Sequence, residues 1–204
     1  MPPRLPRLVV LLSGSGSTLQ NLLDRCADGR LAATVGGVVS SRPDVFGVER
    51  ARRAGVPVVV AEKTGRSEAA FAAARSWQAD LVVCAGWIHL LQVPPDFRGR
   101  VLNVHPSLLP KFGGKGMYGR HVHEAVLAAG ETESGCTVHL VDDTYDTGPV
   151  VLQARVPVLP GDTPDTLAER VQAAEREALP EGVQQLLANP DGGWSRAPNQ
   201  SARG

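Results

Sequence analysis

Short apolar runs alternate with amphipathic stretches along almost the whole chain. Leu8–Leu12 has the length of a buried strand and is followed at once by the turn Ser13-Gly-Ser-Gly-Ser-Thr18. A helix is predicted over Thr18–Cys26, a second strand over Thr34–Val39, a second helix over Val45–Ala54 and a short third strand over Val56–Val60. Ser67–Trp77 has helical spacing, with Ser67 placed as its cap. Asp80–Cys84 and Arg100–Val104 read as two further strands, Arg120–Ala129 as a helix, and Cys136–Val141 and Val150–Val156 as strands. Asp165–Leu187 is a last helical segment, which Pro180 is expected to kink or divide. This alternation predicts an α/β fold: a Rossmann-like open, mostly parallel twisted sheet with helices on both faces. Residues 1–189 read as one domain without repeat or linker. Residues 190–204, rich in Pro, Gly, Asn and Ser, read as a flexible tail.

Composition narrows the partners. The chain has 204 residues, 43% hydrophobic, enough for one sizeable core. Lys plus Arg and Asp plus Glu are both 21, so no global basic field attracts nucleic acid. An anion site must therefore be local, built from backbone amides and a few side chains. Cys26, Cys84 and Cys136 are scattered, form no CxxC or metal spacing, and suggest reduced thiols in a cytoplasmic protein. The first apolar run is too short for a membrane or secretory segment.

The most informative stretch is Val101-Leu-Asn-Val-His105-Pro-Ser-Leu-Leu-Pro110. An apolar strand ends by presenting Asn103 and His105 on one face, two residues apart. Pro106 then stops the ladder. An amide donor beside an imidazole suits acyl transfer, which needs donors for an oxyanion and a group that moves a proton. The Ser13–Thr18 turn offers close backbone approach and the amides of a helix N-terminus, a cradle for a phosphate monoester. No Gly-Lys-Ser/Thr follows, position 19 is Leu, and no acid closes the second strand, which disfavours a P-loop and a dinucleotide site. Asp142-Asp-Thr-Tyr-Asp146-Thr-Gly-Pro149 follows a strand end, where a carboxylate near His105 would raise its pKa. The residues themselves leave Asp142, Asp143 and Asp146 as equal candidates. His121 and His123 lack ligand-spaced companions and read as surface or loop residues. His139 reads as a hydrogen-bonded core residue, with a site-lining role as the alternative. No metal site is expected.

These pieces, together with Phe46-Gly-Val-Glu-Arg-Ala51, Ala85-Gly86, Gly135-Cys-Thr-Val-His139, Val151–Pro157 and Arg170-Val-Gln-Ala-Ala-Glu175, resemble the folate-dependent formyltransferases over residues 7 to 187. Within that family the likeness is to the phosphoribosylglycinamide formyltransferases of purine synthesis. The resemblance implies formyl transfer from 10-formyltetrahydrofolate, as cosubstrate, to the amine of glycinamide ribonucleotide. It implies Asn103, His105 and Asp146 as catalytic residues, and so selects Asp146 among the three acids. It implies Gly14, Ser15, Gly16, Ser17 and Thr18 as the substrate phosphate loop and Glu175 as a further substrate contact. Arg66, Trp87, Ile88, His89, Leu90, Leu91, Asn103, Val141 and Asp142 are implied as the folate pocket. No metal, nucleic acid or membrane is implied, and the assembly is a monomer or homodimer.

Departures from the family pattern are few. Thr18 stands where many relatives have Asn, and His89 where many have Arg. The Lys111–Arg120 loop replaces a Pro-Gly version with extra glycines, and reads either as a mobile lid or as a flexible surface loop. Three rivals are weighed. Methionyl-tRNA formyltransferase needs a further C-terminal domain and a basic surface, and formyltetrahydrofolate hydrolase an N-terminal regulatory domain; neither is expected here. A non-catalytic nucleotide-binding protein would have no need of the Asn103, His105 and Asp146 set.

Overall fold

A computed structural model describes residues 4–189; the tail anticipated over 190–204 lies outside the described residues. Two compact units divide the chain, Met1–Leu102 and Asn103–Gly204. Strands β1 (Arg7–Leu12), β2 (Thr34–Ser40), β3 (Val58–Val60), β4 (Leu81–Cys84), β5 (Val101–His105), β6 (Glu133–Leu140) and β7 (Val150–Pro157) are hydrogen-bonded in the order β3-β2-β1-β4-β5-β6-β7. Among the described residues five α-helices accompany them: α1 (Ser17–Ala27), α2 (Phe46–Arg53), α3 (Arg66–Ser76), α4 (Arg120–Ala128) and α5 (Pro164–Ala188).

In the first unit β1 pairs in parallel with both β2 and β4, and β2 with β3. The residues of β1 from Leu8 to Leu12 are all fully buried. A strand buried on both faces needs apolar side chains at every position, which explains the unbroken run. Chain order reverses beside β1, between β2 and β4, and α/β sheets bind ligands at the carboxyl ends of such strands. There Ser13 N–H donates to the Gly86 carbonyl at 3.1 Å and Ala85 N–H to that of Leu11 at 2.8 Å. The two loops leaving β1 and β4 are thus tied together. Close approaches select glycine at two further points. The Trp77 ring covers Gly37, where a Cβ would lie 2.0 Å from it. Gly16 meets Gly47, where a Cβ on Gly16 would lie 2.6 Å from the Gly47 Cα.

In the second unit β6 and β7 form an antiparallel pair from Glu133↔Pro157 to His139↔Val150. Helix α5 lies on this pair. Its Gly182 fits so tightly that a Cβ would come within 2.6 Å of Val138 Cγ1. Thr163 caps α5 by accepting from Thr166 N–H, while the Thr166 hydroxyl returns to Thr163 N–H.

Four expectations about elements are corrected. Pro180 does not divide the last helix, which runs unbroken from Pro164 to Ala188. Proline there forfeits a backbone bond, but Leu179, Pro180 and Val183 are buried, and tertiary packing holds the turn. Ser67 is not the cap of α3; left-handed Gly65 is, and the Ser67 hydroxyl instead accepts from Gln92 N–H at 3.1 Å. β3 starts at Val58 rather than Val56, because Val56 N–H closes the preceding helix on the Ala51 carbonyl. β6 starts earlier, at Glu133, because β7 supplies pairing partners for polar Glu133, Ser134 and Gly135.

Candidate active site

The end of β5, the end of β6 and the turn after β6 bring four side chains together in the second unit. His105 is buried, and its Nδ1 lies 3.4 Å from Asp146 Oδ2. Its Nε2 donates to the Phe112 carbonyl at 2.8 Å. Asn103 Nδ2 lies 3.1 Å from His139 Nε2, and that nitrogen lies 3.6 Å from Asp146 Oδ1. Asp146 Oδ2 also accepts from Gly114 N–H at 2.9 Å.

The chain reaches this geometry through local constraints. Asp146 has φ +57°, a left-handed conformation that Asp tolerates better than most residues. Gly148 follows because a Cβ there would come 1.8 Å from the Leu140 carbonyl oxygen. Leu140 N–H donates to the Pro149 carbonyl at 2.8 Å and closes the turn. Asp142 holds that turn from inside, accepting from Thr144 N–H and from the Thr147 hydroxyl. Of the carboxylates weighed above, Asp146 is the one that contacts His105. The start of the Lys111–Arg120 loop is a folded strap: Phe112 covers one nitrogen of His105, and Gly114 binds its acid.

Electrostatics correct one expectation. Burial pushes the His105 imidazole below its ordinary pKa, and the raising effects of Asp146 and the Phe112 carbonyl offset this only in part. Asp146 was expected to raise it overall; removal of the ring from water outweighs one carboxylate at 3.4 Å. For Asp146 the balance is opposite. Burial favours the neutral acid, but His139 and the His105 ring, each when protonated toward it, and the Gly114 N–H hold its pKa below the usual carboxylate range.

Of the histidines outside this pair, His123 is placed differently from expectation, whereas His121 is exposed and His139 buried as expected. His123 is not a surface residue: it is buried on α4, its Nδ1 without a partner, and burial and the His105 ring lower its pKa. Its neighbour His121 is exposed, 3.5 Å from Glu124. His139 is a buried, hydrogen-bonded residue that also touches Asn103 and Asp146. Sequence reasoning gave it only a minority place in the site; its position two residues after buried Thr137 on the same strand face was the available signal.

The remaining candidates fall into two groups. In the first unit the loop Gly14–Thr18 leads into α1 with Gly16, φ +70°, as its cap residue and no side-chain cap. The loop's carbonyls are held by the protein: Gly14 accepts from Gly47 N–H, Ser15 from Arg50 Nε, and Gly16 from Gln20 N–H. Arg50, missed by sequence reasoning, sets a cation beside this loop, its guanidinium 4.6 Å from the Phe46 ring centroid. In the same unit Trp87 and Leu91 are buried, while Ile88 and Leu90 are exposed. The Trp87 ring meets His89 edge-on, with centroids 5.5 Å apart. Trp87 Nε1 and Arg66 Nε are buried without hydrogen-bond partners. Burial and the nearby Arg66 charge lower the His89 pKa.

In the second unit Glu175 lies on α5, and burial pushes its carboxyl up to about 7. Burial and the Glu175 charge push the Cys136 thiol up to about 12, so it is no nucleophile. Among the described residues no group of three or more His, Cys, Asp or Glu side chains is set to hold a metal ion, and no helix is long and apolar enough to cross a membrane.

Comparison with known proteins gives a consistent set of relatives. The formyl transferase family matches residues 6–183. Phosphoribosylglycinamide formyltransferase of Escherichia coli is 40% identical over 181 residues, covering 85% of this chain and 83% of that protein. The trifunctional purine biosynthetic protein adenosine-3 of Drosophila melanogaster is 41% identical over 194 residues; they are 90% of this chain but only 14% of that protein. Glycinamide ribonucleotide transformylase 1 from Symbiobacterium toebii has a solved structure that superimposes with a TM-score of 0.85 at 38% identity, covering 95% of this chain and 94% of that one.

Proposed function

Because the chain belongs to the formyl transferase family, we propose that it moves the formyl group of 10-formyltetrahydrofolate to the primary amine of glycinamide ribonucleotide, a step of purine synthesis that yields N-formylglycinamide ribonucleotide and tetrahydrofolate. The observation that carries this reading is the buried His105–Asp146 pair with Asn103 beside it. It provides amide and imidazole donors for an oxyanion, and a ring able to carry one proton.

The amine attacks the formyl carbon, and the carbonyl electrons move onto the formyl oxygen. The Asn103 amide stabilises that oxygen. His105, uncharged at rest in its buried setting, takes the proton that the amine loses. The growing negative charge and the Asp146 carboxylate both favour the charged ring while the tetrahedral intermediate lasts. The C–N10 bond then breaks, and the proton passes to N10 of the departing tetrahydrofolate. Phe112 must release His105 Nε2, and the ring's hydrogen must move to Nδ1 beside Asp146, for Nε2 to face the substrate as the lone pair that takes this proton.

Gly14–Thr18 take the ribonucleotide phosphate on the first-turn amides of α1, with Arg50 supplying positive charge. Glu175 is a further ribonucleotide contact. Arg66, Trp87–Leu91, Val141, Asp142 and Asn103 are assigned to the folate. Buried Trp87 Nε1 and Arg66 Nε, both unpartnered, fit a ligand bearing acceptors. Residues 1–189 act in this reading as one catalytic domain in the cytoplasm, as a monomer or homodimer, without metal or nucleic acid.

The test is a formylation assay of the purified chain with the folate donor and three acceptors: glycinamide ribonucleotide, buffer, and aminoacylated initiator tRNA. Formylated ribonucleotide identified by mass spectrometry is the expected result. Donor hydrolysis alone, or formylated tRNA alone, refutes the assignment.

A further inference from the structure

His139 is connected at both ring nitrogens, and the two contacts determine each other. Its Nδ1 lies 2.9 Å from the Leu140 carbonyl oxygen, which can only accept, so Nδ1 carries the hydrogen. In the neutral ring Nε2 is then a bare lone pair. Asn103 Nδ2 meets that lone pair at 3.1 Å. An amide turned the other way would set its carbonyl oxygen against the lone pair, two acceptors face to face. The chain Leu140 carbonyl, His139, Asn103 therefore fixes which end of the Asn103 amide points inward. One N–H goes to His139, and the other is left in a set direction. Both side chains lie in the second unit, and His139 is only 2% exposed.

We propose that His139 is a positioning residue: through a tautomer locked by the Leu140 carbonyl, it holds the Asn103 amide with its nitrogen available for the reaction's oxyanion. The role of that oxyanion rests on the formyl-transfer reading; the tautomer lock does not. Asp146 Oδ1, 3.6 Å from the same Nε2, gives the arrangement a competitor. A proton on Nε2 would turn it toward Asp146 and release Asn103.

Two measurements test this on the full chain. In the first, nitrogen-15 NMR of the imidazole rings near neutral pH is expected to show His139 protonated at Nδ1 and bare at Nε2, with one Asn103 amide proton shifted by its bond to the ring. A protonated Nε2 overturns the proposal. This arm needs no catalytic activity, so it stands even if the substrate assignment fails.

The second is a double-mutant cycle in the formylation assay. His139→Ala is expected to lower kcat by about tenfold, the worth of one hydrogen bond, with KM for both substrates little changed. In an Asn103→Ala background the same change is expected to cost almost nothing further, because the group it positions is gone. His139→Gln, which can return an acceptor to Asn103, is expected to recover most of the loss and to serve where the alanine variant folds poorly. Full additivity of the two alanine losses overturns the proposal.

Discussion

His105 Nδ1 stands 3.4 Å from Asp146 Oδ2, yet the ring is held below its ordinary pKa because burial outweighs the carboxylate. The free protein is therefore expected to titrate His105 below the ordinary value of 6.5. Asp146→Asn keeps the shape and removes a charge that favours the protonated ring, so it lowers that pKa further. A folded-state pKa below the unfolded one means that the stability from His105 is complete above about 6.5. It is lost as pH falls through the folded value. NMR titration of His105 in parent and variant checks the order; a midpoint above 6.5 in the parent contradicts it.

Asn103→Ala and His105→Ala each remove one group that the proposed reaction needs while leaving the β-sheet ladder intact. Each is expected to retain the parent's circular dichroism and to lose on the order of a hundredfold in turnover, the usual cost of one oxyanion donor for Asn103 and of a positioned proton acceptor for His105. Folded His105→Ala with near-normal kcat would end the mechanism proposed for this site.

Much of this was legible in the chain because the fold writes itself in strand-length apolar runs. β1 and β4 are buried, unbroken apolar runs, so their order with the intervening helices could be read directly. Asn103 and His105 were legible because period-two spacing and Pro106 define a strand end. What escaped depends on partners distant in sequence. The start of β6 at Glu133 exists because β7 pairs with it. Pro180 survives in α5 because its surroundings are packed, which no propensity reveals. His123 looked like a loop histidine because burial of one face of α4 is a tertiary fact. The same holds for the His105 pKa: nearness to an acid can be guessed from a motif, but the depth of burial that overrides it cannot.

The glycine-rich loop offers a cleaner charge test than a bulk test. Gly16→Val would strain a φ of +70° and drive a Cβ to 2.6 Å from Gly47 Cα, so lost binding would be mixed with lost stability. A Cβ at Gly14 meets nothing within 4 Å. Gly14→Asp is therefore expected to fold normally and to weaken glycinamide ribonucleotide by about a hundredfold or more, since like charges brought together cost several kcal/mol and each ~1.4 kcal/mol is tenfold. Folate affinity should be nearly unchanged. Calorimetry with each ligand measures both, and an unaltered ribonucleotide affinity would move the phosphate elsewhere.

Gly182 is a packing prediction in the second unit. Alanine would gain about 1 kcal/mol of helix propensity on an ordinary exposed helix. Here its Cβ would sit 2.6 Å from Val138 Cγ1, on a helix pressed against β6 and β7. Overpacking of that kind costs about 1–3 kcal/mol, so Gly182→Ala is expected to lower the Tm, and Gly182→Leu to lower it more. Thermal melts decide; a raised Tm for the alanine variant would show that α5 can shift outward freely.

Glu175 links stability to substrate binding through one proton. Burial pushes its carboxyl up to about 7 from an ordinary 4.5, with Arg176 opposing only in part. A folded pKa above the unfolded one means that its contribution is fully favourable below about 4.5 and is lost as pH rises through about 7. Glu175→Gln removes that loss. The Tm of the variant relative to the parent is thus expected to rise between pH 5 and pH 8, and a difference independent of pH would contradict a carboxyl raised to about 7. Binding should run the other way. A ribonucleotide group that donates to Glu175 favours the ionised carboxylate, so parent affinity for glycinamide ribonucleotide is expected to improve from pH 6 to pH 8. Phosphate ionisation contributes over the same range in both proteins, which makes Glu175→Gln the necessary reference: its affinity should change less with pH and be weaker at pH 8. Matching pH profiles in the two proteins would remove Glu175 from the substrate contacts while leaving the His105 chemistry untouched.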